Sequence, residues 1–582
     1  MNKENKICQN CKSGFTVESE DFDFYKKLSV PAPTWCPECR FIRRITFINE
    51  RSLYKRNCDN CGASMISMYH PSLKIPVWCL KCHISDKWDA RDYGREYDFS
   101  KNFFAQFNEL KLDTPHRTLD HNERNGPGCE YANYCFTSKN VYLSFVTGSC
   151  ENIKYSRCYL KHNKNCVDCL FIGENDRGYE LVQSSGNYNC SFLIESYQCI
   201  ESHFLYDCSN CVNCFMSSNL RNKSNVFRNK QLTKEEYQKA IDLEKLGTHK
   251  GQLKAKQEFS NLAKNAIHKY AHITNSVNVS GDFIENSRNV ERCYGLVDAE
   301  NVKNTFFSVN AIRDCQDITS AGRIEECYEF TNGGRGGSRV IFCISCGGGA
   351  QNLFYCDNSR GCADCFGCVG LNKKQYCILN KQYTKEEYFE MIEKIKKHMD
   401  ELPYVDKVGR GYKFGEFFPT EISPFAYNET IAFEEHPLSR AEVLAQGYAW
   451  REMAEKSYVS SVKSADLADD IKDVSDSVCA EVIACPNSGQ VATQCTSAFK
   501  ILPDELQFYR QMNLPLPRYC PNCRYHERLK WKNPFRFYQR QCMCARENHG
   551  HKSQCPNKFE TMYPPSRPEK IYCKECYSRE VL

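Results

Sequence analysis

Cysteines in C-x2-C pairs crowd both ends of this chain, and thiolates at that spacing hold a metal rather than attack a substrate. Residues 1–99 carry four such pairs: Cys8/Cys11, Cys36/Cys39, Cys58/Cys61 and Cys79/Cys82. Each pair forms one tight knuckle. Two knuckles close the tetrahedral four-thiolate shell of a structural zinc and leave no position open for catalysis. Sequential pairing puts Cys8 and Cys11 with Cys36 and Cys39, and Cys58 and Cys61 with Cys79 and Cys82; interleaved pairing is the alternative.

The same module is written again 484 positions later. Cys11, Phe15, Phe24-Tyr25, Cys36-Pro-Glu-Cys39-Arg40, Asn49, Tyr54 and Cys58 recur as Cys495, Phe499, Phe508-Tyr509, Cys520-Pro-Asn-Cys523-Arg524, Asn533, Tyr538 and Cys542. The copies should share fold and metal. Cys8 maps to Ala492, so Cys485 is the expected replacement ligand. A ten-residue insert then splits the next knuckle, and Cys61, Cys79 and Cys82 correspond to Cys555, Cys573 and Cys576. The insert adds Cys544, His549 and His551. The fourth ligand of that site therefore stays open between Cys542 and Cys544, and the two histidines read as solvated loop residues. About four zinc ions per chain are expected, two in each end module.

Between the modules lies a second duplication, at an offset of 151. Cys211-Val-Asn-Cys214-Phe and Asn229-Lys-Gln-Leu-Thr-Lys-Glu-Glu-Tyr237 return as Cys362-Ala-Asp-Cys365-Phe and Asn380-Lys-Gln-Tyr-Thr-Lys-Glu-Glu-Tyr388. Short apolar runs alternate with Asn, Ser, Gly and Cys at intervals of 11–13 residues, marked by Asn140, Asn152, Asn165, Cys199 and Cys211, then Asn289 and Asn301. Short strands at a steady interval predict a repetitive β structure, best a β-helix or solenoid. Thr233-Lys-Glu-Glu236 and Thr384-Lys-Glu-Glu387 are capping boxes opening an amphipathic helix that closes each unit.

The predicted architecture is mainly β: two Cys-rich β-helix or solenoid units with capping helices, flanked by duplicated zinc-ribbon or treble-clef modules. The boundaries are 1–99 (double zinc module), 129–243 (first solenoid), 244–276 (helical linker), 277–399 (second solenoid), 400–478 (connector) and 479–582 (double zinc module). In the connector, Phe414–Phe418 should dock on a solenoid, and 439–457 should be helical. The C-x2-C-x2-C runs Cys208/Cys211/Cys214 and Cys362/Cys365/Cys368 could hold most of an iron–sulfur cluster. They read better as small apolar side chains packed inside the coil, because residues three apart in a β-helix do not generally converge.

The chain has 582 residues, 39 Cys and a net charge of +5. Its polar start predicts no export signal, and no apolar run reaches the ~20 residues of a membrane helix. Thiols then belong in a reducing compartment, the cytoplasm. Basic charge concentrates after each C-x2-C-Arg: Arg40, Arg43, Arg44 and Arg51 in one copy, and Arg524, Arg528, Lys530, Lys532 and Arg536 in the other. Interleaved with aromatics, these residues suit RNA or single-stranded DNA, with phosphates neutralised and bases stacked. That makes a nucleic-acid-binding or ribonucleoprotein-associated scaffold the leading expectation. A protein-interaction scaffold comes next, favoured if the arginines do not share one exposed face. A β-helix enzyme comes third: Asp168, Glu174, Asp176, Asp298 and Asp314 are candidates by type alone, and no nucleophile or nucleotide motif accompanies them. No catalytic residue is assigned, and the oligomeric state is not fixed.

The pattern C-x2-C, Phe, Phe-Tyr, a Pro-containing turn and C-x2-C-Arg resembles a zinc-ribbon domain of short bacterial proteins over Cys8–Arg44 and Cys485–Arg528. The whole arrangement is similar to Cys-rich zinc-ribbon proteins of uncultivated candidate-phylum bacteria. The phrases that carry this likeness are Asn380–Tyr388, Ser423-Pro-Phe-Ala-Tyr-Asn-Glu-Thr430 and Leu514-Pro-Leu-Pro-Arg518. The resemblance implies zinc and a cytoplasmic setting and brings no activity with it.

Overall fold

The structure is a computed structural model and describes residues 3–121, 125–159, 161–308, 311–320, 322–333, 335–452 and 458–582. Strands outnumber helices, and two long parallel ladders form the centre. In the first, strands from Lys139–Tyr142 to Ser224–Phe227 pair in parallel in chain order. Partners lie 12 residues apart, as in Asp176↔Tyr188 and Ser191↔His203, with a 13-residue step at Glu151↔Lys164. The second ladder runs from Ile273–Thr274 to Gln375–Ile378 with the same habit. Each ends in a short antiparallel return, Lys230–Gln231 and Lys381–Gln382.

A period of three underlies the period of twelve. From Asn165 to Arg228 every third residue has a positive φ, and the second ladder follows the same rule with one-residue slips at Gly281–Phe283, between Phe307 and Ala311, near Gly336 and at Gly348–Gly349. Left-handed backbone costs an L-residue roughly 1–2 kcal/mol, least for Asn and Asp. Asn therefore stacks at one corner: Asn140 donates to Asn152 at 3.0 Å, Asn152 to Asn165 at 2.9 Å, and Asn165 to Asp176 at 2.9 Å. Asn278, Asn289, Asn301 and Asp314 repeat the stack. The residue after each left-handed corner faces the interior, which is why Cys166, Cys169, Ile172, Leu193, Cys208, Cys211 and Cys214 are all buried in one cluster. A matching cluster fills the second ladder.

The ladder cysteines are buried among apolar side chains, as expected for small residues packed inside rather than for cluster ligands. They all face inward, on successive three-residue sides. Among the described residues, however, no three ladder cysteines bring their sulfurs within 4.8 Å of one another. Their role is to satisfy backbone. Cys343 Sγ accepts the N–H of Cys356 one rung on, at 3.4 Å, as Ser196 Oγ accepts that of Cys208 at 3.1 Å and Asn187 Oδ1 that of Cys199 at 2.9 Å. An interior N–H left without such a partner is costly.

Both predicted capping boxes form, on the helices Lys234–Asp242 and Lys385–Glu401, and a further helix, His249–Asn265, leads to the second ladder. No helix interrupts 129–220 among the described residues. The helix Phe103–Asp113 has no counterpart among the sequence expectations; it buries Phe103, Phe104 and Phe107 against Tyr355, Phe366 and Phe418. Phe417 and Phe418 of the connector pack beside Phe47. The helix expected over 439–457 is shorter: Arg440–Ala445, followed by Gly447 at φ 80°. Residues 453–457 of that expectation lie outside the described residues.

Candidate metal centres

Each cysteine quartet is assembled from a hairpin and a helix start. In the N-terminal module the hairpin Glu4–Ile7/Gly14–Val17 presents Cys8 and Cys11 at its turn, and Tyr54–Asn57/Ser64–Ser67 presents Cys58 and Cys61. A left-handed residue closes each knuckle, Lys12 at φ 63° and Gly62 at φ 74°, with their N–H groups bonded back to the carbonyls of Cys8 and Cys58. The second pair sits at a helix N-terminus. Cys36 and Cys520 cap Pro37–Ile45 and Pro521–Leu529, and Cys79 and Cys573 cap Leu80–His83 and Lys574–Val581. Pro in the first helical turn is pre-set for that position. The partial positive charge of a helix start favours a thiolate.

Ligand atoms converge in four groups of four cysteines: Cys8/Cys11/Cys36/Cys39, Cys58/Cys61/Cys79/Cys82, Cys485/Cys495/Cys520/Cys523 and Cys542/Cys555/Cys573/Cys576. Sulfurs lie 3.8 Å apart for Cys11 and Cys36, 3.9 Å for Cys61 and Cys79, and 3.9 Å for Cys495 and Cys520. A tetrahedron with ~2.3 Å metal–sulfur bonds has an edge of about 3.8 Å, so the four groups are spaced for such an ion. They could hold metal ions, and their pairing is sequential. N–H donors stand around the sulfurs: Cys36 N to Cys8 Sγ at 3.2 Å, Asn10 Nδ2 to Cys39 Sγ at 3.3 Å, and Cys79 N to Cys58 Sγ at 3.2 Å. Burial raises the Cys58 thiol, but N–H groups of Cys79, Cys61 and Asn60 outweigh it and bring it down to about 7.

Cys485 takes the place of Cys8. Cys520 N points at Cys485 Sγ as Cys36 N points at Cys8 Sγ, and Asn487 reaches Cys523 as Asn10 reaches Cys39. In the split site, Cys542 joins the quartet and Cys544 does not; Cys544 lies instead with His549, His551 and Cys576. His549 is buried, which overturns its reading as a solvated loop residue.

The basic segments are placed differently from the expectation. Arg40, Arg43, Arg44, Arg524, Arg528 and Lys532 are all buried. Arg40 Nε donates to Asp317 Oδ2 at 2.7 Å, and Arg43 bridges Glu329 and Glu416 at 2.8 and 2.9 Å. Arg44 lies 3.4 Å from Asp317. In the other copy Arg524 Nε is 2.9 Å from Asp168 Oδ2, and Arg528 Nη1 is 3.0 Å from its Oδ1, ion pairs without the alignment of a hydrogen bond. Lys532 pairs with Glu435 at 2.5 Å. Arg51 lies over the Tyr525 ring at 3.3 Å and pairs with Glu434. Exposed Lys530 and Arg536 pair with Glu527 and Glu38. The expected phosphate-binding face is thus mostly internal wiring. Sequence shows charge but not exposure, and the buried carboxylates that neutralise these cations lie far along the chain, from 97 residues for Lys532 and Glu435 to 373 for Arg43 and Glu416. Burial raises the Glu329 carboxyl, with Arg43 and Arg44 opposing.

The two copies use the same sockets. Tyr25 packs on Tyr328 at 5.3 Å and Tyr509 on Tyr179 at 5.9 Å. Asp317, Tyr328 and Glu329 stand 149 positions after Asp168, Tyr179 and Glu180. The offset grows to the 151 seen downstream because two rungs of the second ladder, Thr331↔Ile344 and Ile344↔Asp357, are one residue longer than Val182↔Ile194 and Ile194↔Tyr206. The docking is crossed: the N-terminal module holds the second ladder and the C-terminal module the first. Each module also forms a separate two-stranded parallel sheet with a segment that precedes the other ladder in the chain. Val77–Trp78 pairs with His116–Arg117, and Lys570–Tyr572 with Ile267–Lys269. His116 and His268 match there too, each with Nε2 2.8 Å from the carbonyl five residues back.

The carboxylates considered for catalysis are not paired with one another. Asp168 is consumed by Arg524 and Arg528, Asp176 by Asn165, and Asp314 by Asn301 and Lys27. No helix among the described residues is long and apolar enough to cross a membrane.

No protein-family model matches the chain, and no curated protein does either. One solved structure, a chain described as an acetyltransferase from Desulfovibrio desulfuricans, aligns over 43% of this chain and 71% of its own. Its identity is 8% and its TM-score 0.09, too low to support an argument about fold or chemistry. Of the resemblance to zinc-ribbon proteins, the structure supports cysteine clusters at C-x2-C-like spacing that could bind metal.

Proposed function

We propose that this chain is a zinc-stabilised structural scaffold of the cytoplasm, built to present rigid β-helical faces to protein partners. In this reading 129–243 and 277–399 are two β-helices of twelve-residue turns with four three-residue sides. Residues 1–99 and 479–582 are clasps, and zinc fills the four quartets. The observation that carries it is the crossed docking of Arg40 on Asp317 and Arg524 on Asp168, with all four side chains buried. Residues spent this way tie ladders together and are not free to neutralise phosphates.

The reading is tested by removing metal and watching the clasps. Chelation of the full chain should open new protease cleavage around 40–60 and 524–545 while the ladders stay protected. An unchanged digestion pattern in metal-free protein overturns the proposal. Filter binding with RNA and single-stranded DNA across a salt series should show no salt-dependent affinity. A steep salt dependence would return the chain to the nucleic-acid class.

A further inference from the structure

The insert between Cys542 and Cys555 is the part of the C-terminal module with no counterpart in the N-terminal one. It emerges between the paired strands Tyr538–Gln541 and Lys558–Thr561 and folds back over the quartet. There Cys544, His549, His551 and Cys576 bring their ligand atoms within 4.8 Å of one another, while Cys576 also belongs to the quartet of Cys542, Cys555 and Cys573. Cys544 Sγ is 3.2 Å from His549 Nδ1, and Cys576 Sγ is 3.5 Å from His551 Nε2. With zinc bonds of ~2.3 Å to sulfur and ~2.0 Å to nitrogen, a tetrahedral sulfur–nitrogen edge is about 3.5 Å.

The outward ring nitrogens give a second, independent sign. His549 Nε2 lies 3.3 Å from Glu580 Oε1, and Arg546 holds that same oxygen at 3.1 Å. His551 Nδ1 lies 2.6 Å from the Ser553 carbonyl. Imidazoles that bind metal through one nitrogen are oriented in this way through the other. Cys544 and Cys576 are closed off from solvent, so the set has two thiolates, two imidazoles and no open position.

We propose that Cys544, His549, His551 and Cys576 hold a fifth zinc ion, and that the Cys576 thiolate bridges it to the ion of the neighbouring quartet. The proposal builds on zinc in that quartet. Two sulfur and two nitrogen ligands in a tetrahedron select zinc among common divalent metals. Sharing Cys576 also eases charge. An isolated four-thiolate zinc carries a net charge of −2, whereas two zinc ions among Cys542, Cys544, Cys555, Cys573 and Cys576 carry −1 together.

Native mass spectrometry of the full chain, purified from zinc-supplemented cells, should count five zinc ions. The His549→Ala/His551→Ala variant should hold four. Four in both, or five in both, overturns the fifth site while leaving the quartets standing; fewer than four in the wild type overturns both. Cadmium-113 exchange of the wild type gives a readout that does not depend on the variant folding. One resonance should fall in the range of two sulfur and two nitrogen ligands and show cadmium–cadmium coupling through the Cys576 sulfur. A spectrum holding only four-sulfur resonances overturns the proposal.

Discussion

Arg40 and Asp317 meet at 2.7 Å with both side chains closed off from water, 277 residues apart in the chain. Arg44 shares the same carboxylate, so removing Asp317 strands two guanidinium groups in the interior. Breaking a buried pair from one side costs about 3–5 kcal/mol. Asp317→Ala should destabilise the metal-loaded protein by that order, read as a shifted denaturation midpoint, and Asp168→Ala should do the same for the other clasp. The combined Arg40→Met/Asp317→Leu change should cost clearly less than Asp317→Ala. Equal losses would show that the pair's partnership is not what matters.

Metal content isolates the patched ligand. Cys485→Ser should remove one zinc ion from the full chain by elemental analysis, and Ala492→Cys should leave the count unchanged. If Cys485→Ser keeps its full complement, another group closes that shell.

Inside the ladders, sulfur serves as a hydrogen-bond acceptor of the right size. Cys343→Ser keeps an acceptor for the Cys356 N–H and should stay within about 1 kcal/mol of wild type by denaturant titration. Cys343→Val removes the acceptor and adds bulk, which overpacking puts at about 1–3 kcal/mol. The reverse ranking would mean that volume alone decides.

His272 joins the ladders, with Nε2 3.4 Å from Glu195 and Nδ1 3.0 Å from Asp282. Burial alone would lower this imidazole, but Asp282 and Glu195 overcome it and raise it to about 10. A raised folded value means the contribution is complete below the unfolded value near pH 6.5 and fades as pH climbs towards 10. The stability gap between wild type and His272→Gln should therefore shrink between pH 6.5 and 10. A gap that widens over that range would contradict the charged-imidazole account.

The quartets were legible because knuckle spacing is local: four residues fix the loop, and sequential pairing needs only a hairpin and a helix start. The β period was legible at twelve residues but not at three, although Cys208, Cys211 and Cys214 display it openly. Reading them as packed small side chains was right, but their spacing also marked the left-handed residue that precedes each one, Asp207, Asn210 and Asn213. The arginines misled for a different reason. Arg43 and Lys530 look alike in sequence, yet one is sealed between Glu329 and Glu416 while the other is solvated beside Glu527. Only the long-range carboxylates separate them. The insert histidines carried a usable signal, two imidazoles within seven residues of the Cys542-x-Cys544 pair, but nothing local announced that Cys576 would be shared.

The crossed clasps also set an order of events during synthesis. Tyr155 and Tyr179 on the first ladder await cover from Glu505 and Tyr509, 350 and 330 residues downstream. The first ladder must therefore emerge and wait with an aromatic flank bare, a state prone to aggregation. Contacts of such long span also form slowly. On the proposed reading, metal capture by the C-terminal clasp then becomes the closing step of folding, and a shortage of the metal would be felt first as lost yield of the whole chain rather than as a weakened end.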